Sequence, residues 1–173
     1  VVIDEAYGAF SGESFISEIG RFENLVIMKT LSKIGFAGIR VGYLLGENSL
    51  ISNINKLRLP FNINSVSQKI SEISIDNIDH LDSQIKEIIE LKEILISKMQ
   101  EIDKIETYSS KTNFVLFRIL DGSADDIFNS LVSSNILIKN MSDSAGLENC
   151  LRVTVGSRKE NNLFIQSLKK SLI

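Results

Sequence analysis

Three short, continuously apolar runs predict strands in the first part of the chain: residues 1–4 (VVID), residues 25–30 (LVIMKT) and Val41–Gly46 (VGYLLG). Their lack of alternation predicts a mostly parallel sheet with both faces covered. Apolar residues then take up helical spacing. Leu50, Ile51, Ile54 and Leu57 predict an amphipathic helix over Glu47–Leu59, stopped by Pro60, the only proline. Ser65–Ile75 predicts a second, short helix. A third, much longer one runs from about Ile78 to Ile102, with Leu81, Ile85, Ile88, Leu95, Met99 and Ile102 in alternating steps of four and three, interrupted only by Lys92. Roughly three heptads without a sustained flanking charge pattern predict an intramolecular seam rather than a coiled coil.

Past this helix, strand and helix alternate. NFVLFRI (Asn113–Ile119), ILIKNM and CLRVTVG predict strands; Ala124–Ser133 and Glu160–Leu172 predict helices, their starts marked by SADD and RKEN. The organisation expected is an α/β segment over residues 1–76, a linking helix over 77–103 and a small α+β domain over 104–173. The period of two puts Cys150 and Arg152 on one face of their strand and Leu151, Val153 and Val155 on the other.

Composition narrows the class. With 43% hydrophobic and 24% charged residues over 173 positions, the chain can bury a sizeable core, and its net charge of −3 argues against a nucleic-acid footprint. A lone cysteine, Cys150, cannot form an internal disulfide and reads as a small buried apolar residue; with a lone histidine, His80, in a polar stretch, a His or Cys metal site is not expected. No apolar run approaches the roughly 18 residues of a membrane span, and a cytoplasmic globular protein is expected.

The candidate chemistry lies at strand ends. Asp4 ends the first strand, and the second runs into Thr30, Ser32 and Lys33 before a glycine-containing turn and Arg40, in KTLSKIGFAGIRVGY (Lys29–Tyr43). Ligands in open α/β sheets collect beyond strand carboxyl ends, so Asp4 and Lys33 are expected at one crevice, as an amine that captures a carbonyl opposite a buried carboxylate. Arg40, Ser32 and Thr30 would cradle an anion. Taken singly, each has a plainer reading: Lys33 as a surface charge, Asp4 as a turn cap, Arg40 as an ion-pair residue. Taken in this order they suit a cofactor with an aldehyde, a phosphate and a basic ring nitrogen, which is pyridoxal phosphate.

Four segments, VVIDEAYGAF, TLSKIGFAGIRVGY, LRLPFNINSVSQ and NCLRVTVGSRKEN, resemble in content and order the histidinol-phosphate aminotransferase family of the fold-type I pyridoxal-phosphate enzymes. The resemblance implies that residues 1–76 belong to the large cofactor domain, a mostly parallel sheet with helices, and that a small α+β C-terminal domain follows. It implies Lys33 as the Schiff-base lysine and proton carrier, Asp4 at the pyridine nitrogen and Tyr7 at the ring 3′ oxygen. Ser32 and Arg40 would hold the phosphate, with Thr30 beside them. Arg152 would bind an anionic end of the substrate, and Lys139 stands where many members carry a second arginine for that purpose. The stretch between Lys33 and Arg40 is one residue shorter than in many members.

The activity so implied is transfer of an amino group between L-histidinol phosphate and 2-oxoglutarate or glutamate in histidine biosynthesis, by a homodimer. The family's usual length is about twice this one, so the chain is expected to be the C-terminal half of an enzyme. Two other readings use the same residues: a phosphate-substrate lyase resembling threonine-phosphate decarboxylase, and a non-catalytic scaffold or dimerisation fragment.

Overall fold

Strand β1 (Val2–Asp4) pairs in parallel with β2 (Val26–Thr30), with Asp4 level with Met28, in a computed structural model that describes residues 1–173. Strand β3 (Gly42–Gly46) completes a three-stranded sheet on the far side of β2, but antiparallel to it. A mostly parallel sheet leaves the direction of β3 open, and the connection to it decides. Only residues 31–41 separate β2 from β3, and they hold a turn and one short 3₁₀ segment (Ala37–Ile39). A parallel return needs a crossover of a dozen residues or more.

Between β1 and β2 lie a one-turn helix, α1 (Gly8–Ser11), and a 3₁₀ turn at Ile16–Glu18, neither foreshadowed by periodicity. After β3 come α2 (Asn48–Leu57), α3 (Ser65–Asp76) and α4 (Ile78–Gln100). Asn64 caps α3 by accepting the Ser67 N–H at 2.9 Å. Val26 and Ile27 are buried, whereas Val2, Met28 and Leu44 are exposed.

The chain divides into two compact units, residues 1–85 and 86–173, the division falling inside α4. In the second unit, β4 (Ile105–Thr107), β5 (Phe114–Ile119), β7 (Cys150–Thr154) and the two-residue β6 (Lys139–Asn140) form an antiparallel sheet in the order β4-β5-β7-β6. Of ILIKNM only Lys139 and Asn140 enter the ladder. Helices α5 (Ala124–Ser133) and α6 (Arg158–Ser171) complete it.

Alternation along β5 sends Val115, Phe117 and Ile119 to one face, where they meet Leu151 and Val153 of β7, Leu91, Leu95 and Met99 of α4, Ile127 and Leu131 of α5, and Phe164 and Leu168 of α6. Phe117 and Phe164 meet edge to face at 6.1 Å. Helix α6 begins at Ser157 with a reciprocal capping box: Ser157 Oγ accepts the Glu160 N–H, and the Glu160 carboxylate accepts the Ser157 N–H. That cap places the start of the helix two residues ahead of the Glu160 expected from hydrophobic spacing.

Candidate active site

The two functional segments of the first unit meet at the carboxyl ends of β1 and β2. A cavity of about 800 Å³ is lined there by Asp4, Thr30, Ser32 and Lys33, with Met28 and Leu44 from the sheet and Ile51, Ile54 and Arg58 from α2 and its C-terminal end. Strand pairing brings Asp4 and Lys33 to one wall although 28 positions intervene in the sequence.

The Asp4 carboxylate accepts the Ala6 N–H at 2.8 Å, so it also makes the turn expected of an Asx residue after a strand. It is exposed, not buried as its position at a strand end suggests. The buried carboxylate is its neighbour. Glu5 is only 8% exposed and accepts the Phe15 N–H at 2.7 Å and the Ser14 hydroxyl at 2.8 Å, with the Lys29 ammonium at 3.1 Å. Burial by itself pushes the Glu5 carboxyl up, but these donors and the Lys29 charge outweigh it and hold the group below the ordinary value. Alternation assigns the two carboxylates to opposite faces: Asp4 to that of Met28, Glu5 to that of Lys29.

Lys33 sits in the turn that leaves β2. That turn is closed by Leu31 N–H to Val41 O and Phe36 N–H to Leu31 O, both at 3.2 Å. Thr30 Oγ1 accepts the Ser32 N–H at 3.0 Å and lies 2.8 Å from Ser32 Oγ, which locks the hydroxyl pair beside the amine. The Lys33 ammonium stands over the Tyr7 ring, 5.4 Å from its centroid, so Tyr7 joins the group without lining the cavity. Arg40 does not join it. Its backbone is left-handed (φ 56°), and its exposed guanidinium donates to Ala37 O at 3.4 Å, away from the cavity wall.

Gly42 permits the close approach of β3 to this strand end. A Cβ there would lie 2.9 Å from Lys29 O.

Arg152 and Lys139 lie in the second unit, level with each other across the β6–β7 ladder. Arg152 stacks over Phe114, 4.5 Å from the ring centroid, and its Nε is buried with no acceptor. On the same face Cys150 is fully buried, and burial pushes its thiol up, as suits an inert apolar position. Two residues here escaped sequence reasoning. Arg118, level with Cys150, donates to Glu148 O at 2.8 Å, Gly146 O at 3.2 Å and Tyr108 Oη at 3.1 Å. Asn149 holds the start of α5 by accepting the Ala124 N–H at 2.7 Å. Its place at the head of NCLRVTVG was the one available signal.

The donor set around the cavity fits pyridoxal phosphate: an amine for the aldehyde, a carboxylate for the ring nitrogen, hydroxyls for the phosphate and a phenol beside the amine.

A family model described as aminotransferase class I and II matches residues 1–168. The histidinol-phosphate aminotransferase of Aquifex aeolicus is 40% identical over 99% of this chain and 48% of its own length. The solved histidinol-phosphate aminotransferase of Clostridium acetobutylicum superposes with a TM-score of 0.86 at 26% identity, over 98% of this chain and 53% of that one. The L-threonine-O-3-phosphate decarboxylase of Porphyromonas gingivalis shares the fold, with a TM-score of 0.85 at 24% identity over 98% of this chain and 54% of that one. The chain thus spans about half the length of the curated relatives it matches.

Proposed function

This chain belongs to the aminotransferase class I and II family, and we propose that the protein carrying it moves an amino group between L-histidinol phosphate and 2-oxoglutarate, with pyridoxal phosphate as cofactor. The observation that carries the reading is the meeting of Lys33, Asp4, Ser32 and Thr30 on one cavity wall, with Tyr7 against the Lys33 ammonium. In the reading, these 173 residues are the C-terminal half of a cytoplasmic, homodimeric enzyme. Residues 1–76 belong to its large domain, 77–103 form a linking helix and 104–173 make its small domain.

Bound there, the cofactor would supply an electron sink for the substrate Cα. Each residue has a distinct task. The Lys33 amine would hold the cofactor and carry a proton to and from the substrate Cα. Asp4 would pair with the ring nitrogen, and the Tyr7 hydroxyl would donate to the ring oxygen. Ser32, Thr30 and Arg40 would hold the phosphate, Arg40 in place of its bond to Ala37 O. Arg152 and Lys139 bind an anionic end of the substrate. The buried Arg152 Nε without an acceptor supports that role, because a desolvated guanidinium donor is costly to leave unmatched.

The test is a pair of assays of the intact protein, one with L-histidinol phosphate and 2-oxoglutarate and one with L-threonine O-3-phosphate, each followed for glutamate formation and carbon dioxide release. Glutamate without carbon dioxide is expected. Carbon dioxide from a phosphorylated amino acid, without glutamate, would replace the reading with the decarboxylase one.

A further inference from the structure

Glu5 follows Asp4 directly and precedes Tyr7 by two residues, and it is the buried acid of that turn. Its backbone is tied down on both sides. The Glu5 N–H donates to Met28 O at 2.8 Å, and Glu5 O accepts the Gly8 N–H at 2.9 Å. Its side chain reaches ten residues along the chain to the backbone N–H of Phe15 and to the Ser14 hydroxyl, while Lys29 meets the same carboxylate from the neighbouring strand. The turn is wrapped closely around this group. A Cβ on Gly8 would lie 3.2 Å from Glu5 Cβ and 3.4 Å from its Oε2, tighter than or at the limit of ordinary contact.

Nothing in the proposed chemistry uses Glu5, and its side chain is directed to the sheet face opposite that of Asp4. Yet Asp4 and Tyr7 leave the sheet on the segment that Glu5 anchors. A carboxylate accepting two hydrogen bonds and an ammonium has little freedom, and so neither has the backbone carrying it. We infer that Glu5, with Lys29 as its counter-ion and Ser14 and Phe15 as its donors, is a positioning residue that fixes the Asp4–Tyr7 turn against Lys33 for cofactor binding. This inference rests on the cofactor reading proposed above. Asp4 lines the cavity and Glu5 does not, while Lys29, the counter-ion of Glu5, lines it too.

The test compares Glu5→Gln with wild type in the intact protein, using two readouts other than turnover. The first is amide hydrogen exchange across residues 6–15 without cofactor. The second is retention of pyridoxal phosphate at Lys33, with the circular dichroism induced in its visible band, which reports ring orientation. Glutamine keeps the size and loses the charge. Expected are exchange about tenfold faster over residues 6–15, cofactor retention weakened about tenfold and a diminished induced band, with the far-ultraviolet spectrum unchanged. Ser14→Ala, which removes one donor only, should move all three in the same direction by less, and it carries the test if Glu5→Gln does not fold. Wild-type retention and band shape in a variant with faster exchange would overturn the inference, as would no change in exchange, while leaving the cofactor reading in place. Failure of the wild-type protein to take up the cofactor at Lys33 would overturn that reading itself, and the inference with it.

Discussion

Lys139 and Arg152 stand level across the β6–β7 ladder, placing two cations side by side on one face of the second sheet. Cross-strand neighbours of like charge destabilise a sheet, and Arg152 relieves part of the conflict by stacking on Phe114. Lys139→Met should therefore stabilise the protein without ligand by about 0.2–1 kcal/mol in urea denaturation. The same variant should weaken binding of an anionic substrate. A loss of stability would show that the two charges are not in conflict.

Lys92 is the polar interruption in the apolar stripe of α4, and it is only 2% exposed, with the Glu93 carboxylate 4.0 Å away. Burial lowers its ammonium below the ordinary 10.5; Glu93 opposes the shift and Lys111 adds to it. The unfolded chain then holds the proton at a pH where the folded chain has released it. Stability from this group accordingly rises with pH from the lowered value up to 10.5, and the full cost is present below that window. Lys92→Met should stabilise the protein near neutrality, and by less as the pH rises through the window. Thermal denaturation of both proteins at several pH values reads this directly, and an equal gain at every pH would contradict it.

Asn149 combines a left-handed backbone (φ 60°) with three side-chain hydrogen bonds, accepting from Ala124 N–H at 2.7 Å and donating to Ile119 O at 2.7 Å and Gly122 O at 3.1 Å. Asn149→Gly loses the bonds but suits the backbone; Asn149→Ala loses both. The alanine variant should be less stable than the glycine variant by about 1 kcal/mol, and both less stable than wild type, in chemical denaturation. Equal stability of the two variants would remove the backbone argument.

Periodicity exposed most of this fold because it reports burial. Val115, Phe117 and Ile119 alternate and are buried; Leu95 and Met99 keep helical spacing and are buried too. Strand direction is not carried by apolar content; it is the short 31–41 connection that makes β3 antiparallel to β2. At the site, strand ends and hydroxyl-flanked Lys33 were legible, and the structure brings Asp4, Thr30, Ser32 and Lys33 to one cavity. Glu5 was not legible, because its donors lie nine and ten residues away in an irregular segment. Arg118 was hidden in the same way: two of its acceptors are backbone carbonyls 28 and 30 positions along the chain, which leave no mark on residue type. The side-chain direction of Arg40 depends on a left-handed backbone that its sequence neighbours do not announce.

Lys33 is the amine we propose to capture pyridoxal phosphate. Borohydride reduction of the intact protein after incubation with the cofactor, followed by peptide mass mapping, tests it with Lys33→Ala as the control. One modified peptide, containing Lys33, is expected, and none in the variant. Stable modification at Lys29 or elsewhere, persisting unchanged in Lys33→Ala, would contradict it.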